Sequence, residues 1–259
     1  MLPVIRTGLD TAMKNISTIS NNIANANSIG FKRSRPEFAD MYAVAMETPK
    51  GSDLGLGARN VDIRRFHEQG SFRTTGAALD LAINGSGMFT LRNTASGDLL
   101  YSRDGSINIT KEGALVSSQG HAYLDQNLEP IVIPFSIQRP DGTIGNLSEL
   151  NVQTDGQINV SYGPRTTLTV ARLGLALFED EARLKSEGGN YYSETERSGQ
   201  MVMGTPLIGK AGYFQAGALE TSNVDLTDEM TMMVGAQQAF NGSSRLMQSE
   251  AEMIRRLIG

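Results

Sequence analysis

Leu2 to Ala26 reads LPVIRTGLDTAMKNISTISNNIANA, and its apolar residues keep a seven-residue beat. Leu2, Ile5, Leu9, Ala12, Ile16, Ile19, Ile23 and Ala26 follow one another by alternating steps of three and four. That spacing places them on one narrow stripe of a helix. A narrow stripe buries against one or two partner helices, not inside a globular core. The beat returns at the other end, in Leu226, Met230, Met233, Phe240, Met247, Ala251, Ile254 and Ile258, with Gln237 and Ser244 on the two remaining beats. The two ends are therefore predicted to be helices that pair with each other or with other copies. Their packing residues are expected to be Leu9, Ile16, Ile19, Ile23, Leu226, Met230, Met233, Phe240, Met247 and Ile254.

The first helix is predicted from about Pro3 to about Ala26. Pro3 fits a first turn, where its missing N–H costs nothing. The opposite face carries Asn15, Ser17, Ser20, Asn21, Asn22 and Asn25, which compete for backbone hydrogen bonds and make the helix marginal alone. Gly30, free to adopt positive φ, marks the stop. The last helix is predicted from Asp225 to Leu257, capped by Asn223 or Asp225. Asp228 and Glu229 suit its positive end, and Arg255 and Arg256 its negative end.

Between the ends the pattern changes. Phe38, Met41 and Tyr42 suit a short amphipathic turn, and Pro49 to Gly57 (PKGSDLGLG) reads as a flexible loop. From Asn60, short apolar runs alternate with glycine turns at Asn84-Gly85, Asp104-Gly105, Glu112-Gly113, Gln119-Gly120, Asp141-Gly142 and Asp155-Gly156. Asn84-Gly85 between Leu79–Ile83 and Met88–Leu91 signals a hairpin. Turns roughly every 8–12 residues without intervening helices predict a mainly antiparallel β domain. Gly188 to Gly217 reads as extended loops. The chain thus divides into a helix (1–30), a linker and loop (31–59), a β-rich domain (60–218) and a second helix (219–259), an α+β arrangement.

The bulk numbers exclude several functions. The 259 residues carry a formal charge of −5, so no basic footprint favours nucleic acid or an anionic membrane. Apolar runs are too short to span a bilayer. There is no cysteine, hence no disulfide and no thiolate metal site. Met1 to Met13 shows no basic stretch followed by an apolar core and a small-residue cleavage site, so any export is expected to use a route that reads no such signal. His67 and His121 are the two histidines and share no local motif. Glu179-Asp180-Glu181 reads as a solvated acidic run and Asp228-Glu229 as helix capping. Lys32, Arg33 and Arg35 read by default as solvated charge, or as partners for acids on a neighbouring subunit. No catalytic, cofactor or metal site is expected.

Three segments resemble one family. Ser20–Lys32 (SNNIANANSIGFK), with Asn21, Asn22, Asn25, Gly30 and Phe31, looks like the N-terminal signature of bacterial flagellar basal-body rod and hook proteins. Leu79–Phe89 (LDLAINGSGMF) and Tyr101–Gly105 (YSRDG) resemble its core β segment. Leu219–Asp225 (LETSNVD), with Ser222 and Asn223, followed by Gln237–Phe240 (QQAF), resembles its C-terminal signature. The resemblance implies terminal helices pairing as a coiled coil around a central channel, inside a β-rich outer layer. It implies a homo-oligomer stacked as a helical tube with other rod and hook proteins, bounded by bushing rings in the periplasm. It further implies export through the flagellar export apparatus, without a cleaved signal. The length and Leu175–Thr195 look most like distal rod members. Asp40–Gly57 is shorter than their usual insertion, so proximal rod and hook-type members remain alternatives, as does a secreted fibre or adhesin-like binding module.

Overall fold

The computed structural model describes residues 2–43, 54–138, 144–163 and 167–258. The expected turn at Asp141-Gly142 and most of the expected loop at Pro49 to Gly57 lie outside those residues. The chain forms two compact units: Met1–Ala26, Arg33–Phe66 and Val224–Gly259 in one, Asn27–Lys32 and His67–Asn223 in the other.

The first unit is built on two helices, α1 (Leu2–Ala24) and α2 (Leu226–Ile258). Asp225 caps α2, its carboxylate accepting from the N–H groups of Thr227 (2.8 Å) and Asp228 (3.3 Å). The helices run antiparallel: a Cβ at Gly8 would touch Ser243, and Asn22 bonds Glu229. Both contacts give the same register, so Leu2 stands level with Ser249 and α2 outruns α1 at its C-terminal end.

Residues 31–59 are a correction. In place of a linker and loop, β1 (Ser34–Ala43) and β2 (Leu54–Arg65) form a long antiparallel ribbon, with Phe38 and Met41 on its first strand. Pro36 within β1 argues against a strand, but both strands of a two-stranded ribbon are edge strands, where proline is tolerated. The ribbon lies on α1, since a Cβ at Gly57 would run into the Thr7 hydroxyl.

The second unit is antiparallel β, as predicted. Its early strands are β3 (Phe72–Thr74), β4 (Leu81–Asn84), β5 (Phe89–Arg92) and β6 (Leu99–Ser102). The largest sheet orders Lys185–Gly188, Tyr191–Ser193, β6, β5, Ala122–Tyr123, Leu115–Val116 and Asn108–Ile109. The hairpin expected at Asn84-Gly85 does not form. β4 pairs instead with Tyr213–Ala216, and β5 with β6. Gly85 and Gly87 both hold positive φ (100° and 125°), and this double corner sends the chain to a different sheet. Gly188 to Gly217, expected as loops, holds short strands at Tyr191–Ser193, Val202–Gly204 and Tyr213–Ala216. These carry few apolar residues in alternation, which is why composition hides them. The core gathers Leu81, Ile83, Phe89, Leu91, Tyr123, Ile158, Leu173 and Phe214. Phe89 stands edge-on to Tyr123 (5.8 Å) and stacks on Phe214 (5.7 Å).

Candidate assembly interface

The seam between α1 and α2 is narrower and more polar than the apolar beat suggests. On α1, Ala12, Ile19 and Asn22 are buried, while Leu9, Ile16 and Ile23 are half-buried. On α2, Glu229 and Ala236 are buried, while Met233, Phe240, Ser243 and Met247 are half-buried. Counting hydrophobicity alone misses Glu229, Ala236 and Ser243. Yet 229, 233, 236, 240, 243 and 247 keep the same three-four step. Small residues let two helices approach closely, as Gly8 and Ser243 do. Leu226, Met230 and Ile254, expected in the packing line, are exposed.

The motif asparagines act locally. The Asn22 amide accepts from the Ser34 N–H (3.0 Å) and donates to the Ser34 carbonyl (2.8 Å), copying one rung of a β ladder onto the start of β1. It also donates to Glu229 Oε2 at 3.1 Å. One side chain thus ties α1, the ribbon and α2, and Arg33 reaches Glu229 at 4.0 Å. Asn25 donates to the Asn21 carbonyl (3.0 Å), closing the last turn of α1. At the foot of the ribbon the Arg33, Arg35 and Arg64 guanidiniums sit 5.7–5.9 Å from the Phe66 ring centroid.

Gly30, Phe31, Ser222 and the residues around Glu220 belong to the β unit, as does Asn223. Gly30 has φ +66°, its N–H donates to the Glu220 carbonyl (2.9 Å), and a Cβ there would stand 2.7 Å from the Asp104 nitrogen. Only glycine fits that approach. Phe31 and Ser222 are buried, and Asn223 donates to the Glu68 carbonyl at 3.0 Å. Asn190, at positive φ, donates to the Ile29 carbonyl (2.8 Å).

The Glu220 side chain is fully buried and ringed by donors. Lys32 lies 2.6 Å from Oε1, the Gly70 N–H donates to the same oxygen at 2.9 Å, and Arg103 reaches Oε2 at 3.3 Å. Lys32 donates also to the Glu68 carbonyl (2.7 Å). The default reading of Lys32 as solvated charge is corrected: its side chain is 0% exposed. Burial pulls the Lys32 ammonium below its usual range, and Glu220 works against that pull. Glu181 is pushed up by burial, with Arg103 and Lys32 opposing. Lys32, Arg103 and Glu181 fall in stretches that the sequence marks, whereas Glu220 lies inside the LETSN signature but carries no pattern of its own.

The sequence falls in the class of flagellar rod and hook subunits. Three family profiles match it in order: a flagella basal body rod protein domain over residues 3–32, a flagellar hook protein FlgE/F/G D1 domain over 82–160, and a flagellar basal body rod FlgEFG protein C-terminal domain over 215–259. Relatives match end to end. The flagellar basal-body rod protein FlgG of Agrobacterium fabrum is 34% identical across 97% of this chain and 95% of the relative. The FlgG of Bacillus subtilis is 33% identical across 100% and 98%. The FlgG of Buchnera aphidicola from Acyrthosiphon pisum is 34% identical across 98% and 96%. The chain belongs to the flagellar basal-body rod protein family.

Proposed function

We propose that this chain is a structural subunit of the flagellar rod that stacks with its own copies, and with other rod and hook proteins, into a helical tube. The tube would transmit torque and enclose the channel through which later subunits leave. The subunit would itself travel through the flagellar export apparatus without a cleaved signal and reside in the periplasm, inside bushing rings. Its work is assembly, not turnover, and it needs no cofactor.

The observation that carries this reading is the division of labour between the units. The β unit closes its own core. The helix pair shares a narrow seam and leaves large apolar residues of α2 in solvent. Apolar surface left on a two-helix unit is surface for partners. The paired helices of successive copies would then form the coiled-coil inner layer, with the β units outside.

Localisation tests the reading. A tagged full-length chain that restores motility to a deletion strain should appear in the rod of purified basal bodies. A tag found elsewhere in the cell, or wild-type motility without the gene, overturns it.

A further inference from the structure

The foot of the β1–β2 ribbon gathers more positive charge than its acids answer. Arg35 and Arg64 are direct partners across the ribbon, and Arg65 faces Ser34 on the adjoining rung. Like charges set directly opposite each other on neighbouring strands destabilise the pairing. Arg33 extends the cluster: the guanidiniums of Arg33, Arg35 and Arg64 all lie within 5.9 Å of the centre of one ring, that of Phe66. No two of these three cations can then stand more than about 12 Å apart, so each feels the others at ordinary salt. The acids nearby are Glu37, which reaches Arg64 at 3.5 Å, and Glu229, which reaches Arg33 at 4.0 Å. Asp62 lies opposite Glu37, two rungs from the arginine pair, and its carboxylate accepts from the Ile63 N–H. Arg35 is exposed, and among the described residues no carboxylate comes within 4.0 Å of it. Phe66 serves as a common platform, because a guanidinium plane is attracted to an aromatic face; the ring gathers the three forks without neutralising them.

We propose that the foot of the ribbon is an oxyanion site, in which Arg35 and Arg64 bracket one phosphate group. The ligand class follows from number and shape. A guanidinium presents a fork of N–H donors, and one fork suits one carboxylate. Two forks on facing strands call for more acceptor oxygens than a carboxylate has, and a phosphate offers three even when esterified. Its double negative charge matches two like charges set face to face. Bound between them, it turns an unfavourable rung into a favourable one. The site lies within the helix-and-ribbon unit, and Arg64 is 55% exposed, so a free ion or a lipid phosphate can reach it. It stands independently of the rod-subunit reading.

Phosphorus NMR of inorganic phosphate, titrated with the full chain at fixed ionic strength, tests the site. The phosphate signal should broaden and shift, sulfate should displace the bound ion, and acetate at the same ionic strength should not. Arg35→Gln and Arg64→Gln should each weaken binding about tenfold or more, while Arg197→Gln, exposed in the β unit, leaves it unchanged. Arg35→Lys keeps the charge and loses the fork, so it should bind nearly as poorly as Arg35→Gln. The replaced side chains are exposed, so circular dichroism of each variant should overlay that of the parent. Vesicles containing phosphatidic acid separate the two sources. Parent chain that sediments with them and is released by free phosphate assigns the group to a lipid headgroup; parent chain left in the supernatant assigns it to a free ion. A parent chain that leaves the phosphate signal unmoved, acetate that competes as well as sulfate, or an Arg35→Lys variant that binds like the parent overturns the site and leaves the rod reading standing.

Discussion

Replacing Glu220 by Gln should be the most damaging conservative change in the β unit. The carboxylate balances two buried cations, Lys32 at 2.6 Å and Arg103 at 3.3 Å. Gln keeps the shape and an acceptor for the Gly70 N–H, but it leaves both cations without their counter-charge. Removing one partner of a buried ion pair costs about 3–5 kcal/mol. For a chain of this size each kcal/mol is worth about 2–4 °C, so the melting point should fall by roughly 6–20 °C. Lys32→Met is the informative contrast. It leaves Arg103 and Glu220 as a one-to-one pair and fills the space of the lysine stem with an apolar chain. The lost hydrogen bonds, offset by one fewer buried charge, should cost no more than about 2 kcal/mol. The double variant should cost less than the two singles added, because each removes part of the same interaction. The chain has seven tyrosines and no tryptophan, so tyrosine fluorescence in a urea or thermal melt reports the transition. The reasoning fails if Lys32→Met proves more harmful than Glu220→Gln, or if Glu220→Gln melts within 3 °C of the parent, a margin of about 1 kcal/mol.

Three further outcomes follow from single sites. Gly30→Ala should cost about 2 kcal/mol or more in a urea melt, since φ is +66° and the new Cβ would crowd the Asp104 and Arg103 backbone; an unchanged midpoint would refute the tight approach. Asn22→Asp removes the donor to the Ser34 carbonyl and sets a carboxylate against Glu229, so helicity by circular dichroism should melt earlier by an amount equivalent to about 2–4 kcal/mol, and more so at pH 8 than at pH 4. Burial pushes the Tyr101 phenol up to about 12, so between pH 10 and 12 the unfolded chain loses a proton that the folded one keeps, and stability should fall as pH rises, by about 2 kcal/mol from this group by pH 12. Tyr123 moves in the same direction through burial. Absorbance at 295 nm should then show part of the tyrosine signal appearing only with unfolding, and a smooth titration near pH 10 for every tyrosine would contradict it.

What can be read from the sequence depends on periodicity. The terminal helices announce themselves because an apolar residue at every third or fourth position draws a helical stripe and fits neither the two-residue alternation of a strand nor a loop. The β unit does so through its glycine turns. The ribbon of β1 and β2 escapes because arginines and acids alternate along it and Pro36 interrupts it. Partners distant in sequence escape as well. Nothing near Asn84-Gly85 shows that β4 will pair with Tyr213–Ala216, more than a hundred residues away. Among functional positions, the motif marks Asn22, Gly30 and Asn223, but their roles need geometry: Asn22 as a false ladder rung, Gly30 as a forced close approach. Lys32 misleads because charge at a loop normally means solvent, and its partner Glu220 stands 188 residues further on.

The positions that periodicity overestimates are themselves informative. Leu226, Met230 and Ile254 keep the heptad beat yet remain in solvent, while the intramolecular seam takes in Glu229, Ala236 and Ser243. A helix that served only its own fold would have little reason to carry large apolar side chains on beats its partner does not cover, because each exposed one favours unwanted association. A helix that serves two contacts must carry two stripes. The inner one can be small and polar, since it need only set register, and a buried asparagine bonded to a glutamate sets register well. The outer one must be apolar, since burying it has to offset the loss of freedom when copies join. In the proposed assembly a polar inner seam and an apolar outer stripe would couple the order of the helices to assembly, and α1 and α2 would reach full stability only when a neighbour covers what the single chain leaves exposed.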